Sequence, residues 1–142
     1  CKEPSSGLCA ESTMGGCSTW TASEASQICQ AESAGVSGCK KSVDMSTDGQ
    51  PFSCGLFQVN MTVHDVVDGS GTNLDCPKAF ACASGAKKCP SAGKKVVDQP
   101  LYNKCAAALS TPSLNKAEAC KIHKAAKSSW QPWTTASKCK LI

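Results

Sequence analysis

Glu32 is the residue whose position most directly suggests acid–base chemistry. It follows Cys29 by three residues and Ile28 by four, which is the spacing of one helical face, so a carboxyl group ends an apolar stripe. Burial against such a surface raises the pKa of a glutamic acid and retains its proton near neutral pH. A carboxyl group of this kind can protonate the leaving oxygen of a glycosidic bond. The alternative, an ordinary surface glutamate, is disfavoured because the C-terminal end of a helix dipole repels negative charge.

Glu32 is followed by motifs that occur in a fixed order. The chain reads Glu32-Ser33-Ala34-Gly35, then Asp44 and Asp48, then Gly55-Leu56-Phe57-Gln58-Val59-Asn60. This order resembles the lysozyme superfamily. Goose-type lysozymes and lytic transglycosylases carry Glu-Ser-x-Gly at the end of a helix and later Gly-Leu-Met-Gln-Val or a close variant, and hen-type lysozymes carry Gly-Ile-Leu-Gln-Ile-Asn at the corresponding place.

The C-terminal segment adds to this resemblance. Trp130-Gln131-Pro132-Trp133 is similar to the Trp-x-x-Trp ending of several bacterial and phage lysozyme-like domains. The likeness covers roughly residues 21 to 60 and the C-terminal segment, while the middle third of the chain matches no family pattern. It implies an α+β, lysozyme-like fold that is mainly helical with a small β-hairpin region. A length of 142 residues is in the usual range for one domain, so we expect a single catalytic domain over residues 1 to 142.

The resemblance also implies roles for the acidic residues, with Glu32 as the general acid. Ser53 stands two residues before Gly55, where hen-type enzymes carry an aspartate, so a hen-type double displacement is not expected. Asp48 lies close to the place where goose-type enzymes carry a water-positioning aspartate and is our first candidate for the general base. Asp44 is the reserve candidate. A plain turn role for Asp48-Gly49 is an equal alternative, since Asp-Gly is a common turn dipeptide.

Polar and aromatic residues are candidates for sugar contacts. The resemblance implies that Gln58 and Asn60 line the cleft and bond the sugar, although strand polarity alone would also explain them. Tyr102 could stack on a sugar ring. Trp130 and Trp133 could do the same, but buried aromatic side chains more often fill cores, and we expect these two in the core.

Local signals predict three helices. Thr21-Ala22-Ser23-Glu24 matches a capping box and predicts a helix from about Ala22 to Ser33. Proline near the first turn predicts helices from Gln99 to about Leu109 and from Thr111 to about Lys127. The third helix is expected to bury mainly apolar residues, namely Leu114, Ala117, Ile122 and Ala125.

The segments between the helices are rich in turn residues. Asp48-Gly49-Gln50-Pro51 predicts a turn inside a small β region over residues 39 to 60. Residues 68 to 95 are expected to form loop with short helical turns held by disulfides, and residues 1 to 17 an irregular arm tied by disulfides.

Twelve cysteines spread along the chain in an even number. Their spacing lacks the close Cys-x2-4-Cys pairs of structural zinc sites, so we expect six disulfides and no metal. Disulfides persist in oxidising compartments, which indicates a secreted, extracellular protein. The chain begins at Cys1 without a basic and apolar leader, so we expect any signal peptide to have been removed.

The charge pattern limits the possible partners. The chain has 15 Lys, no Arg and a formal net charge of +4, which allows loose attraction to an anionic polymer or to a cell surface. The absence of Arg and of aromatic residues within the Lys clusters argues against nucleic acid. No apolar run is long enough to span a membrane.

Together these observations predict a monomeric, cofactor-free glycosidase. The expected activity is a muramidase that hydrolyses β-1,4 bonds of bacterial cell-wall peptidoglycan with inversion, with Glu32 as acid and Asp48 as base. The alternatives are a chitinase, chitosanase or β-mannanase on the same fold, or a non-catalytic glycan-binding domain or enzyme inhibitor.

Overall fold

A computed structural model describes residues 1–40 and 44–142 and has an α+β architecture, as expected. The described part contains three α-helices: α1 (Ala22–Ser33), α2 (Gln99–Leu109) and α3 (Pro112–Ala125). It also contains six short strands that form three antiparallel pairs: β1 (Ser53–Cys54) with β2 (Val59–Asn60), β3 (Val66–Val67) with β4 (Asn73–Leu74), and β5 (Phe80–Cys82) with β6 (Lys94–Val96).

Helix α1 has the predicted bounds. The Thr21 hydroxyl accepts a hydrogen bond from the Glu24 backbone N–H at 3.2 Å, which caps the first turn. The helix ends where Ala34 and Gly35 both adopt positive φ angles, of 52° and 82°. Ile28 and Cys29 are fully buried, so the predicted apolar stripe faces the core.

The predicted β region is present. Met45 and Pro51 form a β-bridge across the predicted turn, and the Ser46 N–H donates to the Gln50 carbonyl at 2.8 Å. The following strand, β1, pairs with β2 so that Ser53 faces Asn60. Residues 41 to 43 of the predicted region lie outside the described residues.

The segment from residue 68 to residue 95 is more ordered than expected. The helical turns are present at Cys76–Ala79 and Ser91–Gly93, but β4, β5 and β6 were not predicted. The reason is physical: strands of two or three residues carry no alternating pattern, and their pairing depends on long-range contacts. Disulfides hold this segment, as expected, with bridges Cys76–Cys105 and Cys82–Cys89.

The buried face of α3 differs from the prediction. Asn115, Glu118 and His123 are buried, whereas Ala117 and Ala125 are exposed. Leu114 and Ile122 are partly buried and pack against the core. The helix also ends at Ala125, because Lys127 and Ser128 have positive φ angles of 58° and 60°.

All twelve cysteines are paired, which confirms the predicted framework of six disulfides. Three of the bridges tie the N-terminal arm to the rest of the chain: Cys9–Cys29 joins it to the nearby helix α1, and Cys1–Cys139 and Cys17–Cys120 join it to distant parts. The other three are Cys39–Cys54, Cys76–Cys105 and Cys82–Cys89. Such a framework is typical of proteins from oxidising compartments.

Stacked aromatic rings lie at the centre of the core. The rings of Trp20 and Phe57, and those of Trp20 and Trp130, stack with centroids 5.3 Å apart. Trp130 and Trp133 are 3% and 6% exposed, which confirms that they fill the core. Among the described residues, no helix combines the length and the apolar composition needed to cross a membrane.

Candidate active site

An open cleft of about 680 Å³ lies beside the C-terminal end of α1, and Glu32 is in its wall. We call it the Glu32 cleft. Its lining comes from α1, the β1–β2 region, the segment after β2 and the C-terminal segment. The residues that line it are Ala31, Glu32, Lys40, Asp44, Ser53, Gln58, Val59, Asn60, Val63, His64, Ile122, Pro132, Trp133, Thr134, Thr135 and Lys138.

The Glu32 carboxyl group is half-buried and held by the C-terminal segment. The Thr135 hydroxyl donates a hydrogen bond to Glu32 Oε1 at 2.7 Å. Burial raises the pKa of Glu32, and this effect outweighs the opposing effects of the Thr135 hydrogen bond and of the positive charges of Lys40 and Lys138. A carboxyl group with a raised pKa in an open cleft is suited to donating a proton to a bound molecule.

The end of α1 that carries Glu32 is fixed from its buried side. Ser33, the second residue of the Glu-Ser motif, is 4% exposed and donates to the Cys29 carbonyl at 3.0 Å. Its hydroxyl also accepts the Gly35 N–H at 3.2 Å. The Cys9–Cys29 disulfide joins the same turn of the helix to the N-terminal arm. Ser33 therefore stabilises the end of the helix while Glu32 faces the cleft.

The turn between β1 and β2 is held by Asn115, which reaches it from α3. Asn115 is fully buried, and its Oδ1 accepts the Phe57 N–H at 2.9 Å. Its Nδ2 donates to the carbonyls of Cys54 and Leu109, each at 2.9 Å. Gly55 has a φ of 83°, and a Cβ at this position would lie 2.0 Å from Asn115 Nδ2. The Gly-Leu-Phe-Gln motif thus begins with glycine because an amide side chain occupies the adjacent space.

The same turn directs two of the predicted sugar-binding residues towards the cleft. Gln58 has a positive φ of 46°, and its Nε2 donates to the Gly55 carbonyl at 2.8 Å. Asn60 follows on β2, and its Oδ1 accepts hydrogen bonds from the backbone N–H and the hydroxyl of Thr62. Both residues line the Glu32 cleft, and their roles in sugar binding stay predictions.

The two candidate second carboxylates lie in different places. Asp44, the reserve candidate, lines the Glu32 cleft. Asp48, the first candidate, is not among the described residues that line it. The Asp48 carboxylate is exposed and accepts hydrogen bonds from the Ser46 hydroxyl and from Gln50 Nε2, and the Ser46 bond is the main reason why its pKa is lowered. The geometry therefore brings Asp44, rather than Asp48, into the same cleft as Glu32.

Tyr102, too, is not among the described residues that line the cleft. Its ring is 6% exposed and packs edge-on against Phe80 at 5.8 Å, and its hydroxyl donates to the Pro51 carbonyl at 2.6 Å. Tyr102 therefore supports the β region that carries Asp48. Trp133, by contrast, lines the cleft although it is mostly buried, and its indole N–H donates to the Phe57 carbonyl at 2.9 Å.

Sequence reasoning assigned no site role to Thr135, Lys40, Lys138 or His64. The Trp-x-x-Trp motif marked the C-terminal segment as part of the resemblance, and Thr135 follows that motif by two residues. No local pattern indicates that this threonine meets a glutamate 103 residues earlier in the chain. His64 lies half-buried in the cleft, where burial lowers its pKa against the opposing charge of Glu118.

Comparisons of the chain with protein-family models, curated proteins and solved structures give no match. Within the described part of the chain, no group of three or more His, Cys, Asp and Glu side chains is arranged to hold a metal ion.

Proposed function

We propose that this protein is a secreted glycosidase of the lysozyme superfamily that hydrolyses β-1,4 bonds of bacterial peptidoglycan, with Glu32 as its general acid. The observation that carries the proposal is a half-buried glutamic acid of raised pKa in the wall of an open cleft. The motif order Glu-Ser-x-Gly and Gly-Leu-Phe-Gln-Val-Asn and the α+β fold support it. The six disulfides support the extracellular location.

For each step of the hydrolysis, the cleft offers a residue that can carry it out. Glu32 transfers its proton to the glycosidic oxygen as the bond to the anomeric carbon breaks. Asp44, the other carboxylate in the cleft lining, receives a proton from the attacking water and replaces Asp48 as our preferred general base. Gln58 and Asn60 offer amide groups to the hydroxyl and acetamido groups of the sugar.

The charges around the cleft favour peptidoglycan among the candidate polymers. Lys40 and Lys138 both line the cleft and act on the Glu32 carboxyl group. Their two ammonium groups attract a polymer that carries carboxylates, as the peptide-substituted wall glycan does, and give no advantage to neutral mannan or chitin. This electrostatic difference is our reason for proposing a muramidase before a mannanase or a chitinase on the same fold.

The experiment that tests the proposal compares several polysaccharides under one set of conditions. We expect the turbidity of a bacterial wall suspension to fall and new reducing ends to appear, with little sugar released from mannan or chitin. Release from mannan or chitin without wall lysis would assign the neutral-polymer activity instead. Binding to walls without any new ends would indicate a glycan-binding domain.

Product stereochemistry tests the role of the second carboxylate. Because Ser53 stands where hen-type enzymes carry an aspartate, we expect single displacement, in which water attacks and the first reducing ends have the α configuration. Early β products would indicate a covalent intermediate. Anhydro-sugar ends would indicate a lytic transglycosylase, and either result would remove Asp44 from the role of base while Glu32 remains the acid.

A further inference from the structure

A second pocket, of about 640 Å³, opens beside the Glu32 cleft, between the segment after β2 and the C-terminal part of α3. We call it the α3 pocket. It shares part of its wall with the Glu32 cleft, so a molecule bound in the cleft can extend directly into it. The four shared residues are Val63, His64, Ile122 and Pro132.

The shared wall is largely apolar. Val63 is 62% exposed, and Ile122 is partly buried. Burial lowers the pKa of His64, so its ring is uncharged at neutral pH. Beyond the shared wall, Ala125 and Ala126 continue the apolar surface at the end of α3. Contact with small aliphatic groups of a ligand would remove this surface from water, which is favourable.

Three charged side chains line the part of the α3 pocket that the cleft does not share. Glu118 and Lys121 form an ion pair at 3.1 Å, and Glu118 Oε1 also accepts the Val67 N–H at 3.0 Å, which joins α3 to β3. Asp65 is exposed, and its Oδ2 accepts a hydrogen bond from Asn73 Nδ2 at 3.0 Å. The pocket therefore offers charges of both signs beside its apolar wall.

This lining differs from that of a sugar-binding site. Among the described residues that line the α3 pocket, there is no Phe, Tyr or Trp ring on which a sugar could stack and no Asn or Gln amide for its hydroxyl groups. The Glu32 cleft, by contrast, is lined by Gln58, Asn60 and Trp133. The α3 pocket is therefore better suited to a part of the substrate that is not sugar.

We propose, in an inference that rests on the proposed function, that the α3 pocket binds the stem peptide carried by the muramic acid residues of the wall glycan. The stem begins with two methyl groups, those of the lactyl ether and of the first alanine, and continues with a carboxylate and a diamino acid. The methyl groups match the apolar wall next to the cleft. The carboxylate and the ammonium group match Lys121 and Asp65 farther along the pocket.

Two alanine-to-tryptophan variants test this role. Ala125→Trp fills the α3 pocket from the last residue of α3. Ala117→Trp is the matched control, because Ala117 is also an exposed alanine of α3 and is not among the described residues that line the cleft or the pocket. Both variants are first compared with the unmodified protein for thermal stability.

The substrates are soluble, uncross-linked glycan strands with intact stem peptides and the same strands stripped of peptide by an amidase. The ratio of kcat/KM on the two polymers is measured for each protein, because a general loss of activity in a variant cancels in this ratio. We expect a ratio of about ten for the unmodified protein, since burial of two methyl groups corresponds to roughly that change in binding. Ala117→Trp should keep the ratio, and Ala125→Trp should bring it close to one.

A ratio near one in the unmodified protein, or equal ratios in the two variants, would overturn the inference and leave the proposed glycosidase standing. A titration with the free stem pentapeptide covers the opposite case, in which no wall polymer is cleaved and the proposed activity fails. We expect NMR shifts of the backbone amides around Val63 and Ile122 in the unmodified protein and in Ala117→Trp, but not in Ala125→Trp. Without cleavage this titration decides alone, and an absence of these shifts in the unmodified protein would overturn the inference as well.

Discussion

At the scale of single residues, the site depends on a balance that acts on the Glu32 carboxyl group. Burial favours the protonated form, whereas the Thr135 hydrogen bond and the charges of Lys40 and Lys138 favour the carboxylate. Burial has the larger effect, so the pKa of Glu32 is raised. A general acid needs a proton to give and must also be stable as an anion afterwards, and the opposing groups supply that second property.

Replacing Thr135 tests this balance. Thr135→Val removes the hydroxyl that donates to Glu32 Oε1 and keeps the shape of the side chain. The carboxylate loses a stabilising donor, so we expect the pKa of Glu32 to rise further. The basic limb of the pH–rate profile, where the acid loses its proton, should therefore move to higher pH.

Thr135→Ser is the matched control, because it restores the hydroxyl and should return the basic limb towards its original position. A lower rate in Thr135→Val without any movement of that limb would mean that Thr135 only supports the local structure.

At the scale of elements, the sequence predicted those parts whose signals are local. The capping residues of α1, the prolines of α2 and α3 and the Asp48-Gly49 turn each act within a few residues, and the corresponding elements are present. The short strands β4, β5 and β6 have no such signal.

The prediction of which α3 residues are buried was wrong for a related reason. Asn115 and Glu118 accept hydrogen bonds from the N–H groups of Phe57 and Val67, and the His123 ring pairs with the Thr19 hydroxyl. A pattern of apolar residues cannot reveal polar groups whose partners lie far along the chain. The same limit explains why the contact between Thr135 and Glu32 was not predicted.

The contact between α3 and the β1–β2 turn yields a prediction about Gly55. A Cβ at this position would lie 2.0 Å from Asn115 Nδ2 and 2.1 Å from the Leu109 carbonyl oxygen. Gly55→Ala must therefore displace Asn115 as well as strain a positive φ, and we expect a loss of roughly 3 kcal/mol or more in the free energy of unfolding. Denaturant unfolding measures this loss of stability.

Gly71→Ala provides the control, since Gly71 has a similar φ of 84° but open space around it. Gly71→Ala should lower the free energy of unfolding only by the backbone strain, which is about 1–2 kcal/mol. Equal losses in the two variants would show that Asn115 does not hold the turn in the way described.

At the scale of the whole molecule, disulfides join parts of the chain that are far apart in sequence. We expect the Cys1–Cys139 bridge to position the site as well, because Cys139 directly follows the segment that carries Thr135 and Lys138 into the cleft. The Cys17–Cys120 bridge already joins the same two parts of the chain. The loop that Cys1–Cys139 closes in the unfolded protein is therefore much shorter than its sequence separation of 138.

Removing that bridge separates its two roles. In a double variant with Cys1→Ser and Cys139→Ser, we expect the free energy of unfolding to fall by about 2–4 kcal/mol, which is the usual contribution of a disulfide. We also expect a fall in wall hydrolysis below the unfolding temperature, because Thr135 is less firmly held against Glu32. Denaturant unfolding and reducing-end release measure the two effects, and unchanged hydrolysis by the folded variant would mean that the bridge does not position the site.

The central claim is that Glu32 donates the proton, and Glu32→Gln tests it most directly. The amide is nearly isosteric but cannot donate a proton to the leaving group, so release of reducing ends from cell walls should fall by about 10²–10⁴-fold. The Glu32→Gln variant should still fold. Burial raises the folded-state pKa of Glu32 above its ordinary value of 4.5, so wild-type stability falls as the pH rises from that value through the folded-state pKa, and the variant should gain stability relative to wild type across the same interval. A variant that folds and still cleaves walls at near wild-type rates would contradict the account.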